Sequence, residues 1–256
     1  MPENSLFLCI RLPKSGSLSL VHGLAAAFEG RRIFYVPNTL DPDSKVSRVH
    51  RLRFLRARCQ NLSRHYGTVS LRAVWARIER DARPGDLLMG GHVDFRTAAA
   101  HLVRALKIIT LMRDPVERAQ SEYAYMRRGY ARKPLLNRFD ASVLHKRAGR
   151  LDFDSYLDFL FAHRAVYGDI ACQYIGWDGV ENLADFCARN VFHWGVIERS
   201  SEFATGLCRK FGRPFTLPME NRTNGQRPAI TGRQRTLLEQ IYSRDLNLYE
   251  WVRANT

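Results

Sequence analysis

The first half of this chain alternates short apolar runs with stretches whose apolar residues recur at helical spacing, and that alternation restricts the fold more than any other feature. Ser5 to Arg11 (SLFLCIR) and Arg32 to Val36 (RIFYV) read as strands, and Leu87 to Gly91 and Leu106 to Met112 (LKIITLM) are runs of the buried-strand kind, because a strand covered on both faces reads as nearly continuous hydrophobic sequence. Between them lie helical patterns at Leu18 to Phe28, Val46 to Arg58, Leu71 to Asp81 and Arg96 to Leu102. Such an order predicts an α/β fold with a central, mostly parallel sheet flanked by helices. Beyond Arg138 the pattern is mainly helical, at Phe153 to His163, Val180 to Ala188, Ser200 to Phe211 and Arg233 to Trp251, with one strand-like run at Val191 to Ile197. No repeat, linker or low-complexity tract interrupts it, so a single domain over residues 1–256 is the expected organisation.

Charge and composition exclude several classes. With 45% hydrophobic residues the chain is too apolar for intrinsic disorder. Its first apolar run, Leu6 to Ile10, is shorter than a secretory or membrane-spanning segment requires, so no stable membrane insertion is expected. Five cysteines (Cys9, Cys59, Cys172, Cys187 and Cys208) in no CxxC pattern argue against a disulfide framework or a zinc site and are expected to be reduced. The net charge is +15, and arginine outnumbers lysine 34 to 6. Nine basic side chains and no acid fall between Ser44 and Ile78, and a second basic stretch runs through Arg127, Arg128, Arg132, Lys133 and Arg138. The planar fork of arginine suits phosphate, sulfate and carboxylate, so these stretches read either as an anion-binding surface or as a solvated face.

Two loops carry the chemistry. Pro13-Lys14-Ser15-Gly16-Ser17 lies between a strand and a helix, where a glycine lets the backbone turn around an anion and the helix start offers unsatisfied N–H donors. It is not a Walker A loop, since Lys14 precedes Gly16 and no glycine stands upstream. The second is Arg113-Asp114-Pro115-Val116-Glu117-Arg118-Ala119-Gln120-Ser121-Glu122-Tyr123. Asp114 as N-cap, Pro115 at the first helical position and Glu117 three residues after the cap predict a helix start there. Arg118, Ser121 and Tyr125 follow on neighbouring turns of one face. Ligands of open parallel sheets bind beyond the carboxyl ends of strands, so Lys14 and Arg113 are expected to face one crevice and to grip a ligand with two phosphate groups.

These two motifs, in this order and these contexts, resemble the 5′-phosphosulfate loop and the 3′-phosphate motif of sulfotransferases that use 3′-phosphoadenosine 5′-phosphosulfate (PAPS). With GGHVDF preceding RDPVERAQSEYAYMRRG, the chain is most similar to carbohydrate sulfotransferases of the heparan sulfate 2-O-sulfotransferase type, over roughly Leu6 to Gly129. The resemblance implies a P-loop-kinase-like core and PAPS as co-substrate with no metal. It implies that Lys14, the backbone of Ser15, Gly16, Ser17 and Leu18, and the Ser17 hydroxyl hold the 5′-phosphosulfate, that Arg113 and Ser121 hold the 3′-phosphate, and that His92 is the base. Arg222 and Thr223 look like the family segment that closes over the nucleotide. The chain departs from the family at two points. Leu18 stands where many relatives have a second hydroxyl residue, so that either one phosphate contact is missing or Ser19 supplies it, and Gly90-Gly91-His92 stands where the 2-O-type enzymes have His-Gly-His.

The implied acceptor is a hydroxyl of a carbohydrate or glycolipid, anionic if the basic stretches line its groove, with Tyr123, Tyr125 and Tyr130 as candidate sugar-stacking faces. Asp94 reads either as an ordinary loop aspartate or as a group that orients His92 or binds the acceptor. The implied location is cytoplasmic, or that of the soluble catalytic part of a Golgi-type enzyme. Two other readings remain open: a small-molecule or nucleotide kinase using the same clamps on ATP, and a basic nucleic-acid-binding protein, which no nucleic-acid motif accompanies.

Overall fold

The computed structural model describes residues 4–36, 71–139, 141–218 and 229–256. Five strands, β1 (Ser5–Ile10), β2 (Ile33–Val36), β3 (Leu87–Gly90), β4 (Ala105–Met112) and β5 (Val191–Val196), form one sheet in the order β2-β3-β1-β4-β5. Every pairing is parallel. β1 is therefore central and wholly buried. It lies in register with β4 from Ser5↔Ala105 to Ile10↔Thr110, and the Thr110 hydroxyl donates to the Ile10 carbonyl at 3.0 Å.

Alternate side chains of β1 build two cores, as the period of two requires. Leu6, Leu8 and Ile10 pack on one face against α2 (Leu71–Asp81), α3 (Phe95–His101), α10 (Leu183–Asn190) and α13 (Ser243–Ala254), through Trp75, Ala98, Phe186 and Leu248. Phe7 and Cys9 face the opposite way, against α1 (Ser17–Ala27) and α11 (Ser200–Phe211). There the Phe7 ring meets Phe28, Phe192 and Phe211 edge-on at 4.8–5.6 Å. A third core joins α4 (Pro115–Ala131), α6 (Val143–Arg150), α7 (Phe153–Ala162) and α12 (Gly232–Ile241) through residues such as Met126, Ala148, Leu157 and Leu238. Three shorter helices complete the described elements: α5 (Leu135–Arg138), α8 (Arg164–Tyr167) and α9 (Ile170–Ile175).

All five expected strands and the helix at Pro115 are present, whereas some helices differ from their sequence patterns. The run Arg233 to Trp251 is two helices broken at Tyr242, because the amides of Arg244 and Asp245 turn to the carboxylate of Asp169 at 3.0 and 3.2 Å and start a new helix there. The helix expected from Val180 starts at Leu183, since the Asn182 side chain caps the amides of Ala184 and Asp185. The pattern at Val46 to Arg58 lies outside the described residues. Among the described cysteines none is in a disulfide, and no described helix is long and apolar enough to cross a membrane.

One buried titratable group ties this packing to pH. His193 on β5 is 9% exposed, stacks on Phe203 and shares its Nε2 with the Phe203 carbonyl at 2.9 Å. Burial holds its pKa down at about 4, the Phe203 carbonyl opposing and Lys210 and Arg209 adding to the depression. The unfolded imidazole titrates near 6.5, so between those values the unfolded chain binds the extra proton and stability is lost as the pH is lowered. Between pH 7 and pH 5 this one group should remove about 2 kcal/mol. Urea unfolding of the parent and of His193→Gln at both pH values checks it: the parent should lose more stability than the variant by that amount.

Candidate functional site

The carboxyl ends of β3, β1 and β4 are neighbours, and the loops that leave them hold His92, Lys14 and Arg113. The loop after β1 turns through two left-handed residues, Lys14 with φ 62° and Gly16 with φ 70°. Gly16 is the N-cap of α1 and has no side chain with which to accept from the first-turn amides, so that turn presents its N–H groups toward the loop. Its missing Cβ also gives room to Ile197, whose Cδ1 would lie 2.5 Å from an added methyl group. Ser15 is fully buried, Ser17 and Ser19 are half-buried, and Leu18 is 44% exposed.

Lys14 crosses from this loop to the next one. Its Nζ sits 4.3 Å from the centroid of the Tyr125 ring on α4, a cation–π contact. Ser121 precedes Tyr125 by one turn on that helix and is half-buried. The helix starts as its sequence predicts: Asp114 accepts from the amides of Val116 and Glu117 at 2.8 and 2.9 Å, with Pro115 at the first position. Arg113, at the end of β4, is 16% exposed and pairs with Glu117 at 2.7 Å. An incoming anion therefore competes with Glu117, itself 49% exposed, for that guanidinium.

His92 is held from the other side. Its Nδ1 is 2.9 Å from the Arg11 carbonyl, while the Arg11 guanidinium donates to the carbonyl of Gly90, so the exits of β1 and β3 are tied to each other twice. A carbonyl only accepts, so Nδ1 carries the proton and the neutral ring keeps its lone pair on Nε2. The imidazole lies edge-on to Tyr174 of α9 at 6.0 Å. Burial raises the pKa of that phenol, and the carboxylates of Glu122 and Asp94 add to the shift. Glu122 and Asp94 therefore lie close enough to Tyr174 to act on its charge.

The structure separates residues that the sequence grouped together. Arg118 shares a helix with Ser121 and Tyr125 but is 2% exposed, paired with Glu122 at 2.7 Å and stacked over the Tyr242 ring. It anchors α4 to the helical layer and does not face the loops. Burial opposes its charge, yet Glu122, Tyr242 and Asp245 together outweigh that and raise its pKa. Asp94 caps α3, accepting from the Thr97 amide at 2.8 Å and the Thr97 hydroxyl at 2.7 Å. Tyr123 and Tyr130 are buried, so of the three candidate stacking tyrosines Tyr125 alone is exposed, at 52%. Arg222, Thr223 and most of the arginine-rich stretch lie outside the described residues. Arg11 and Tyr174 were not among the expected site residues, since their contacts with His92 join elements far apart in sequence.

The first of the two glycines before His92 has a steric origin. Gly90 has φ 141°, and a Cβ there would collide with the backbone oxygen of Val36 on β2. Any side chain at 90, a second histidine included, would push β2 off the sheet. Among the described residues no group of three or more His, Cys, Asp or Glu side chains is arranged to hold a metal ion. Compared with protein-family models and with curated proteins, the chain matches none. Gly90→Ala should destabilise by about 3 kcal/mol or more, because rigid backbone is struck at a positive φ. Gly16→Ala should cost nearer 1 kcal/mol, since its clash is with the mobile end of Ile197. Urea unfolding of both variants checks the order.

Proposed function

We propose that this chain is a PAPS-dependent sulfotransferase that moves the sulfuryl group to a hydroxyl of a carbohydrate or glycolipid acceptor. The observation that carries the reading is the Lys14–Tyr125 contact, which joins the loop resembling the phosphosulfate site to the helix resembling the 3′-phosphate site. A nucleotide with anions at both ends of its ribose suits that pairing. Its 5′-phosphosulfate would lie over the first turn of α1, with Lys14 and the Ser17 hydroxyl as donors. Its 3′-phosphate would take the Arg113 guanidinium from Glu117, with Ser121 adding a hydroxyl.

The reaction needs a base, a positioned donor and stabilisation of the leaving group. His92 would take the acceptor proton at Nε2 as the hydroxyl oxygen bonds to sulfur. The sulfur–oxygen bond to the 5′-phosphate breaks in line, and adenosine 3′,5′-bisphosphate leaves. The Arg11 carbonyl favours the reactive tautomer and stabilises the imidazolium that forms, as an acceptor behind a general base does. Lys14 would gather charge on the bridging oxygen more strongly in the transition state than in the bound donor. Charge spread over the transferred group makes electrostatics and alignment the main sources of rate, as in phosphoryl transfer.

Ligand-induced thermal shifts test the nucleotide. Adenosine 3′,5′-bisphosphate at about 100 times its Kd should stabilise the chain by roughly 2.7 kcal/mol, with ATP and magnesium well below it. A larger response to ATP would favour a kinase. Arg113→Ala should weaken the bisphosphate far more than adenosine 5′-monophosphate, and equal losses would remove Arg113 from the 3′-phosphate. Turnover of labelled PAPS with glycan and glycolipid extracts tests the base: His92→Ala should bind bisphosphate as the parent does and lose about 10²–10⁴-fold in rate.

A further inference from the structure

The helix α5 carries the most exposed large apolar cluster among the described residues. Leu135, Leu136 and Phe139 are 73%, 82% and 76% exposed, and Val143 at the start of α6 is 50% exposed. Leu135 and Leu136 stand four and three residues before Phe139, so one helical turn brings these three together. The cluster is not a slack loop. Pro134 opens the turn, the Asn137 amide donates to the Pro134 carbonyl at 2.8 Å, and the Arg138 guanidinium donates to the carbonyls of Lys133 and Ala131 at 3.1 Å each. Arg138 also packs over the ring of buried Tyr130, and the Tyr130 hydroxyl accepts from Arg150 at 3.3 Å. A fixed prong of apolar side chains thus stands out from the third core.

Its surroundings are basic. From Arg127 to Arg150 the chain has eight arginines and lysines against Asp140 alone, with Arg128, Arg132 and Lys133 just before the prong and Lys146 just after it. Three or four side chains cover a few hundred Å², below the ~800 Å² per partner that a stable protein interface buries. Apolar tips within a ring of cations suit a surface that is anionic at its boundary and hydrocarbon just beneath, where leucine and phenylalanine insert while arginine and lysine stay at the headgroups.

We propose that α5 is a membrane-docking prong: Leu135, Leu136 and Phe139 enter the outer acyl region of an anionic lipid bilayer, and Arg128, Arg132, Lys133 and Lys146 hold its headgroups. The docking is peripheral and reversible, and it does not depend on the nucleotide site. Co-sedimentation with phosphatidylcholine vesicles, with and without phosphatidylserine, tests it. The parent should bind the phosphatidylserine vesicles at least about tenfold more strongly than the neutral ones and release them as salt rises. The variant Leu135→Ser/Leu136→Ser/Phe139→Ser should lose about tenfold or more of that binding with its thermal midpoint unchanged, because all three side chains are exposed. Arg132→Glu/Lys133→Glu should lose a comparable amount. No binding to anionic vesicles, equal binding to neutral ones, or full binding by the triple serine variant would each overturn the proposal. So would a parent dimer in sedimentation velocity that the triple variant dissolves, since the prong would then belong to a second copy.

Discussion

The burial of β1 on both faces between two parallel neighbours is the constraint on which the rest depends. A parallel strand cannot return by a tight turn, so each strand of this sheet must end in a loop that leads away into a crossover. With β3 and β4 beside β1 and running the same way, three such exits open on one edge. His92, Lys14 and Arg113 each stand within a few residues of an exit. Their proximity thus follows from strand pairing in the interior, where Phe7, Leu8 and Ile10 are almost entirely removed from water.

The loops are then fixed by a small number of polar ties. Arg11 supplies two of them, its carbonyl to His92 and its side chain to Gly90, and so locks the orientation of the imidazole to the same backbone that begins the lysine loop. Arg118 supplies another beneath α4. A buried guanidinium costs much desolvation, and here Glu122 and the Tyr242 ring offset that cost while fixing the helix that carries Ser121 and Tyr125. The edge of the site is built from charges that already have work to do within the fold, Glu117 on Arg113 among them. Binding of an anion at this edge is an exchange of partners and not the filling of a vacancy.

The third core gives the chain its other character. Packing α4 against α6, α7 and α12 makes a helical layer beside the sheet, and the connection between α4 and α6 protrudes as a basic, apolar-tipped turn. The network around Asp169, Arg244 and Asp245 ties α9 to α13. Asp245 is fully buried and accepts from the amides of Ala171 and Cys172, its pKa raised by burial despite Arg118, while Asp169 caps α13 across the chain. Those contacts explain why a sequence pattern that reads as one long terminal helix is divided at Tyr242.

Local sequence determined the strands, because short apolar runs bounded by turn residues mark all five, and it determined the start of α4, because Asp114, Pro115 and Glu117 act within one turn. It also marked Lys14, Arg113, Ser121 and His92 as residues of interest, since glycine turns and capped helix starts are written in adjacent positions. The tertiary structure alone decided which way Arg118 points, that Tyr125 and not Tyr123 or Tyr130 meets solvent, and that Arg11 and Tyr174 flank His92. Each of those depends on a partner dozens of residues away: Tyr242 for Arg118, β3 for Arg11, α9 for His92. Helical periodicity gives the face a residue occupies but not what lies against it, and only the packing of the layers supplies that second surface.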